Sequence, residues 1–270
     1  QEVATRVFNF AKGLSRLLLC ESSDASPQHP FIGICAKNRL DWFVADYACV
    51  FSGAVSVPLH TAMDDVSTLS ILNCANVCCV ISSQEYTNKF LSFAANQSCP
   101  SLKHVIQMDS LQDAPTTSLS PGDLLVDMPW VEKIGCEIPS SVITNSPLKG
   151  TDIHTVIFTS GSTGMPKGVP FVGDQLAAEL SIVTEYDPLV TISKDSLAHV
   201  SDREAVLSTL VCGGRVGISS GPAHVFDDIR ELSPSIVSSI PRFYNILYTE
   251  FKSLYESGKR ELIQDVPDFT

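Results

Sequence analysis

The 270-residue chain is poor in positive charge. It holds 18 lysines and arginines against 30 aspartates and glutamates, a formal net charge of −12. A nucleic-acid binder needs a basic face to neutralise phosphates, so this balance argues against that class. It leaves room for a local anion site, because one site can be basic within an acidic chain. Long apolar runs are missing as well. None reaches the roughly 18–20 residues that a membrane-spanning helix requires, and neither a lipid anchor nor a basic amphipathic helix is visible. Peripheral association with a membrane stays open. No signal peptide stands at the start. Gln1-Glu2-Val3 already belong to a helical pattern, so the chain is expected to begin inside an element. Among nine cysteines there is no Cys-x-x-Cys pair, no Cys/His metal spacing and no thiol beside an obvious base. They read as buried free thiols in a reducing, cytoplasmic setting rather than as nucleophiles.

What is present is an alternation of apolar runs and amphipathic stretches, with 44% apolar residues to build a core. Val3, Val7, Ala11, Leu14 and Leu18 recur at spacings of three and four, which predicts a helix to about Cys20. Short apolar runs at Phe31 to Cys35, Val55 to Pro58, Cys78 to Ile81 and His104 to Met108 read as strands. Asn38 is the expected cap of a helix through Trp42, Phe43, Tyr47 and Phe51. Asp64 or Asp65 is expected to cap another, through Val66, Leu69 and Leu72. Further along, helices are expected over about 174–185, 202–211 and 226–232, and strands over 155–158, 215–218 and 235–240. A last helix runs through Phe243, Leu247, Phe251 and Leu254. This alternation predicts an α/β fold with a largely parallel sheet. The stretch 111–152 differs. It carries Pro115, Pro121, Pro129, Pro139 and Pro147 and little periodicity, with room for one short helix near Trp130. So long a connection reads as a boundary between a first αβ subdomain over 1–110 and a second over 153–270.

One stretch organises the rest. Thr159 to Gly168 reads Thr-Ser-Gly-Ser-Thr-Gly-Met-Pro-Lys-Gly and follows the apolar run Thr155-Val156-Ile157-Phe158. Gly161, Gly164 and Gly168 allow the backbone to bend and to approach a ligand closely. Successive N–H groups in such a turn can form a nest for an anion. The hydroxyls of Thr159, Ser160, Ser162 and Thr163 add donors, and Lys167 adds a point charge. The stretch is not a Walker loop: from Gly161 the required spacing lands on Pro166, and Lys167 is followed by Gly168. Nor does it fit Gly-x-Gly-x-x-Gly. A flexible surface Ser/Gly loop is the bland alternative. The strand leading into it, and a lysine held by Pro166, favour a phosphate-holding loop.

All ten residues agree with the signature of the adenylate-forming superfamily of acyl-CoA synthetases, luciferases and peptide-synthetase adenylation domains, which the chain resembles along most of its length. Asn38-Arg39-Leu40-Asp41-Trp42 and Gly53-Ala54-Val55-Ser56-Val57-Pro58-Leu59 look like that family's first subdomain. Leu197-Ala198-His199-Val200-Ser201-Asp202-Arg203 resembles the segment carrying a substrate-pocket histidine. Ser239-Ile240-Pro241-Arg242-Phe243-Tyr244 is similar to the Val-Pro-Arg-x-Tyr segment of long-chain fatty acid members. Adenylation domains of carboxylic acid reductases look similar too. The resemblance implies the N-terminal part of the synthetase fold, two stacked αβ subdomains with largely parallel sheets, incomplete. It implies ATP, Mg²⁺ and coenzyme A, and a small-molecule carboxylic acid as substrate. The acid attacks the α-phosphorus of ATP, and a thiol then takes the acyl group. Thr159, Ser160, Gly161, Ser162, Thr163, Gly164, Lys167 and Gly168 would hold the β- and γ-phosphates. His199 would line the acyl pocket; equally it reads as a satisfied, half-buried histidine. Arg242 reads as structural, capping carbonyls or pairing with an acid.

Three departures stand out. The family carries a histidine where this chain has Gly173. An apolar strand expected just before His199 reads as missing, since Ser193-Lys194-Asp195-Ser196 runs directly into Leu197. The Tyr-Gly-x-Thr-Glu motif, the ribose-binding aspartate and the C-terminal domain with its lysine do not occur before Thr270. The chain therefore reads as a fragment that would not complete the reaction alone. A non-catalytic remnant or interaction protein is the competing expectation, and a generic nucleotide-binding α/β domain a third.

Overall fold

The structure, a computed structural model, describes residues 2–19, 29–111, 123–139, 147–159, 166–180 and 189–257. The chain opens with helix α1 (Glu2–Leu19), whose Val7, Phe10, Ala11, Leu14 and Leu17 are buried. Then follow β1 (Phe31–Cys35), α2 (Leu40–Phe51), β2 (Val55–Pro58), α3 (Asp65–Cys74), β3 (Cys79–Ser82), α4 (Gln84–Ala95), β4 (His104–Gln107), β5 (Leu125–Asp127) and α5 (Met128–Glu137). After them come β6 (Ile153–Thr159), β7 (Lys167–Val172), α6 (Gly173–Leu180), β8 (Val190–Ser193), α7 (Val200–Val211), β9 (Arg215–Ile218), α8 (Val225–Leu232) and α9 (Pro241–Glu256).

Seven strands form one sheet in the order β5-β4-β3-β1-β2-β6-β7, parallel except for β7. Strands β2, β3 and β4 are buried throughout, as expected where helices cover both faces. Side chains alternate between two cores. Ile32, Ile34, Cys79, Ile81 and Ile106 face one, with α1, α2 and α5. Val57, Val80 and Val105 face the other, with α3 and α4. Helices α1 and α5 approach closely because glycines meet backbone. A Cβ on Gly13 would fall 2.1 Å from the Val131 carbonyl oxygen, and one on Gly135 1.8 Å from that of Asn9. A second, two-stranded parallel sheet pairs β8 with β9.

The structure revises several expectations. The break anticipated over 111–152 does not divide the sheet. Within it, β5 pairs with β4, and β6 and β7 extend the same sheet beside β2. Asn38 does not cap α2; the N-cap is Arg39, whose side chain makes no capping hydrogen bond. Its amide instead donates to the Asp195 carbonyl at 2.6 Å and Ser193 Oγ at 2.8 Å, and accepts from the Leu197 N–H at 3.2 Å. Before His199 a strand does stand, β8, with Thr191, Ile192 and Ser193 buried. Residues 235–240 form no strand, only a bridge from Ile236 to Thr191. Asp64 caps α3 as expected, accepting from the Ser67 N–H at 2.8 Å.

Candidate active site

The central stretch is the connection of a β-hairpin. Strand β6 enters it and β7 leaves it antiparallel, with Thr159 paired to Lys167 and Phe158 to Gly168. Ser160, Gly161, Ser162, Thr163 and Gly164 lie outside the described residues. Thr159 and Lys167 are exposed, and among the described residues no carboxylate pairs with the Lys167 ammonium. Gly168 is needed for close packing, since a Cβ there would fall 2.9 Å from Val156 Cγ1.

Sheet register shows what accompanies the loop. Strands β2 and β6 run parallel with Ser56 opposite Thr155, so His60 and Thr159, each four residues on, leave the same carboxyl edge. Ligands of open α/β sheets collect at that edge. His199 meets His60 there, ring centroids 5.3 Å apart. His199 is the N-cap residue of α7, exposed, with no side-chain capping bond. The Ala62 N–H donates to His60 Nδ1 at 3.1 Å, which leaves the proton of the neutral ring on Nε2. Burial, and then the neighbouring His199, push the His60 pKa below its ordinary value.

Several other charged groups near this edge are paired among the described residues. Beyond the carboxyl ends of β1 and β3, Arg39 bonds Asp109 at 2.9 Å and Lys37 faces Glu85 at 3.4 Å. Under α7, Arg203 grips Asp46 through two bonds of 2.7 and 2.8 Å and donates to Thr155 Oγ1 at 3.1 Å. Its guanidinium carbon stands 5.3 Å from the Trp42 ring centroid. Asp202 is buried, accepts from Ser193 Oγ at 2.6 Å and has its pKa raised chiefly by burial. Arg242 was expected to cap carbonyls or to pair. It is exposed, and among the described residues it does neither. A Cβ on Gly173 would fall 2.5 Å from His154 Nε2, so His154 fills the space a side chain there would need. Burial raises the Cys49 and Cys79 thiols well above their ordinary range, which keeps them protonated and inert. Among the described residues no three or more His, Cys, Asp or Glu gather as a metal cage, and no helix is long and apolar enough to cross a membrane.

The residue pattern singles out the hairpin loop and His199, which carry motif signals. It leaves out His60, although that residue lies two positions beyond the end of β2, a strand that was correctly expected. It includes Arg203 without its partner Asp46, which is 157 positions away.

Fold and motif together define the class, and comparison with known proteins agrees. The profile of the AMP-binding enzyme family matches residues 1–265, and the chain belongs to that family. It is 31% identical to mouse long-chain-fatty-acid–CoA ligase 6, over 98% of this chain and 38% of that protein. It is 32% identical to the peroxisomal long chain acyl-CoA synthetase 7 of Arabidopsis thaliana, over 84% of this chain and 33% of that one. The chain thus spans between a third and two fifths of the length of these relatives. Among solved structures, the A-PCP didomain of a carboxylic acid reductase from Segniliparus rugosus, in complex with AMP, superposes with a TM-score of 0.77 at 20% identity. That match covers 100% of this chain and 39% of the other. A structure of the same reductase's A domain, with AMP and a co-purified carboxylic acid, gives 0.76 at 20% identity, over 95% of this chain and 43% of that one.

Proposed function

We propose that this chain supplies the phosphate-gripping part of an enzyme that activates a carboxylic acid, of the long-chain fatty class, with ATP and passes it to coenzyme A. The observation that carries the reading is the Thr159-to-Gly168 connection, hung between β6 and β7 at the carboxyl edge of the sheet with Lys167 unpaired by any described carboxylate. In the first step the carboxylate oxygen bonds to the α-phosphorus and the bond to the β-phosphate bridge breaks, releasing pyrophosphate. In the second a thiol bonds to the acyl carbon and AMP leaves. The first step is an in-line displacement, which depends on positioning and on neutralising the leaving group. Thr159, Ser160, Gly161, Ser162, Thr163, Gly164 and Gly168 would cradle the β- and γ-phosphates, and Lys167 would balance their charge. Magnesium would come with the nucleotide rather than sit in an all-protein cage, and would supply further positive charge to the leaving pyrophosphate beside Lys167. His199, with His60 beside it, would stand near the acyl carboxylate.

Pyrophosphate exchange into ATP, measured with and without a fatty acid on the full-length enzyme that carries this chain, tests the reading. Exchange should require the acid, and Lys167→Ala should lower it by about 10²-fold, in the range found when one charge-stabilising donor is removed. Acid-independent ATP binding with no exchange across short, medium and long acids would leave only a nucleotide-binding domain.

A further inference from the structure

Strand β2 runs into a tight turn that fixes one ring. Leu59 is buried, and its N–H donates to the Ile34 carbonyl at 2.8 Å. The His60 carbonyl accepts from the Met63 N–H at 3.0 Å, and His60 Nδ1 accepts from the Ala62 N–H at 3.1 Å. Lys89 of α4 holds the far side of the turn by donating to the Met63 carbonyl at 3.2 Å. The His60 imidazole is therefore held through its own backbone and through Nδ1. Keeping Nδ1 as an acceptor also keeps the ring neutral, because a proton there would face the Ala62 N–H. Burial acts in the same direction.

His199 is the opposite case. Its backbone is well placed: Asn38 bonds the Asp195 carbonyl and the Leu197 N–H just before it, and its own N–H donates to the Ser196 carbonyl at 2.9 Å. Its ring is exposed and makes no capping bond to α7. An exposed side chain samples several rotamers, and ordering it costs entropy. Against this, the His199 ring meets the His60 ring at 5.3 Å between centroids, with 60° between the planes. Tilted contacts of this kind are favourable between aromatic rings. A rigid, neutral ring from the end of β2 thus meets a loosely held ring from the start of α7.

We propose that His60 is a positioning residue, whose fixed ring holds the His199 imidazole in one orientation for the carboxylate of the substrate acid. The role rests on the acid-activating reading, which supplies that carboxylate. His60 acts through His199 and needs no contact with the acid. Being neutral, it contributes orientation and not charge. The contact also makes capture of the acid depend on how the first sheet meets α7.

Three substitutions in the full-length enzyme that carries this chain separate the ring from the turn. His60→Asn keeps an acceptor for the Ala62 N–H, in the manner of an Asx turn, and removes the ring. His60→Phe keeps a ring and removes the acceptor. His60→Ala removes both. In pyrophosphate exchange, His60→Ala and His60→Asn should raise the KM for a fatty acid about three- to tenfold, the range carried by one aromatic pair. The KM for ATP should not move, and kcat should change less than the acid KM, as when an interaction serves ground and transition states alike. His60→Phe should return the acid KM to within about twofold of the unaltered enzyme. Rescue by His60→Asn and not by His60→Phe would mark a turn-forming residue and overturn the proposal. The contact has a readout apart from activity. In enzyme labelled with carbon-13 histidine, the His199 ring resonance is assigned by its loss in His199→Gln. It should keep its ring-current shift in His60→Phe and move toward the free-histidine position in His60→Ala and His60→Asn. An unmoved resonance would also overturn the proposal. Should the variants fail to fold, an Overhauser effect between the two rings is expected in the unaltered enzyme, and its absence decides against the contact. No acid-dependent exchange in the unaltered enzyme would remove the proposed function, and this role with it, whatever the resonances do. Exchange that requires the acid, with an acid KM indifferent to His60→Ala and His60→Asn, would remove the positioning role alone.

Discussion

Arg203 does at residue scale what several apolar side chains cannot. Its planar fork bonds both oxygens of Asp46 and reaches Thr155 with a third hydrogen bond, tying α7 to α2 and β6 in one contact. Removing one member leaves the other as an unpaired, largely buried charge. Asp46→Ala is therefore expected to cost about 3–5 kcal/mol in unfolding free energy, and Asp46→Ala with Arg203→Met less than Asp46→Ala alone. Denaturant titration of the three proteins would check the order. His60 supplies a pH signature. Burial and His199 hold its pKa below the ordinary value, so the folded chain binds fewer protons there than the unfolded chain. The stability this contributes is whole above about pH 6.5 and is lost as pH falls through that value toward the folded pKa. Melting temperature should consequently fall more steeply below pH 6.5 in the wild type than in His60→Gln. Parallel profiles would contradict the assignment.

At the scale of elements, what was legible depended on whether a segment carried its own pattern. Strands β1, β2 and β9 are short apolar runs set off by polar or turn residues, and their limits match those read from the residues. Strand β5 has three residues in a proline-rich stretch, too few for a period to show. It exists because β4 offers it a parallel edge. Strand β7 contains Pro170 and is largely exposed, so neither propensity nor alternation marks it; pairing with β6 does. Helix α4 was passed over although Thr87, Phe90 and Phe93 form its buried stripe. Helix α5 shows the converse. Met128-Pro129-Trp130 was legible as a short helix because proline suits the first turn, and Asp127 explains where it starts. The Asp127 carboxylate accepts from the Trp130 N–H at 2.8 Å and the Leu111 N–H at 2.9 Å. Asp127→Ala removes a buried cap and leaves both donors unmet, so it should destabilise by about 2 kcal/mol, and Asp127→Asn by less. Thermal melts of both variants would measure this.

For the whole molecule, the joint between the two sheets matters most. Asn38 leaves the end of β1 and bonds the turn after β8, while Ser193 and Asp202 complete the buried network around it. Lys194 continues the joint, pairing with Asp195 at 3.0 Å and standing 4.0 Å from the Phe243 ring centroid. Asn38→Ala should cost about 1–3 kcal/mol, the penalty of unmet buried partners, and should broaden a single calorimetric transition toward two. A transition that stays single and unshifted would show that the joint does not couple the two parts.

The sequence by itself determined the fold class, the position of most strands and the phosphate-loop motif, because each is written in local spacing and composition. Only the tertiary structure decided that β6 and β7 extend the first sheet, that Asn38 is a joint rather than a cap, that His60 stands against His199, and that Asp46 neutralises Arg203. The physical reason is the same for each. These relations join residues tens to more than a hundred positions apart, and such pairings are fixed by sheet register and close packing, which leave no periodic mark along the chain.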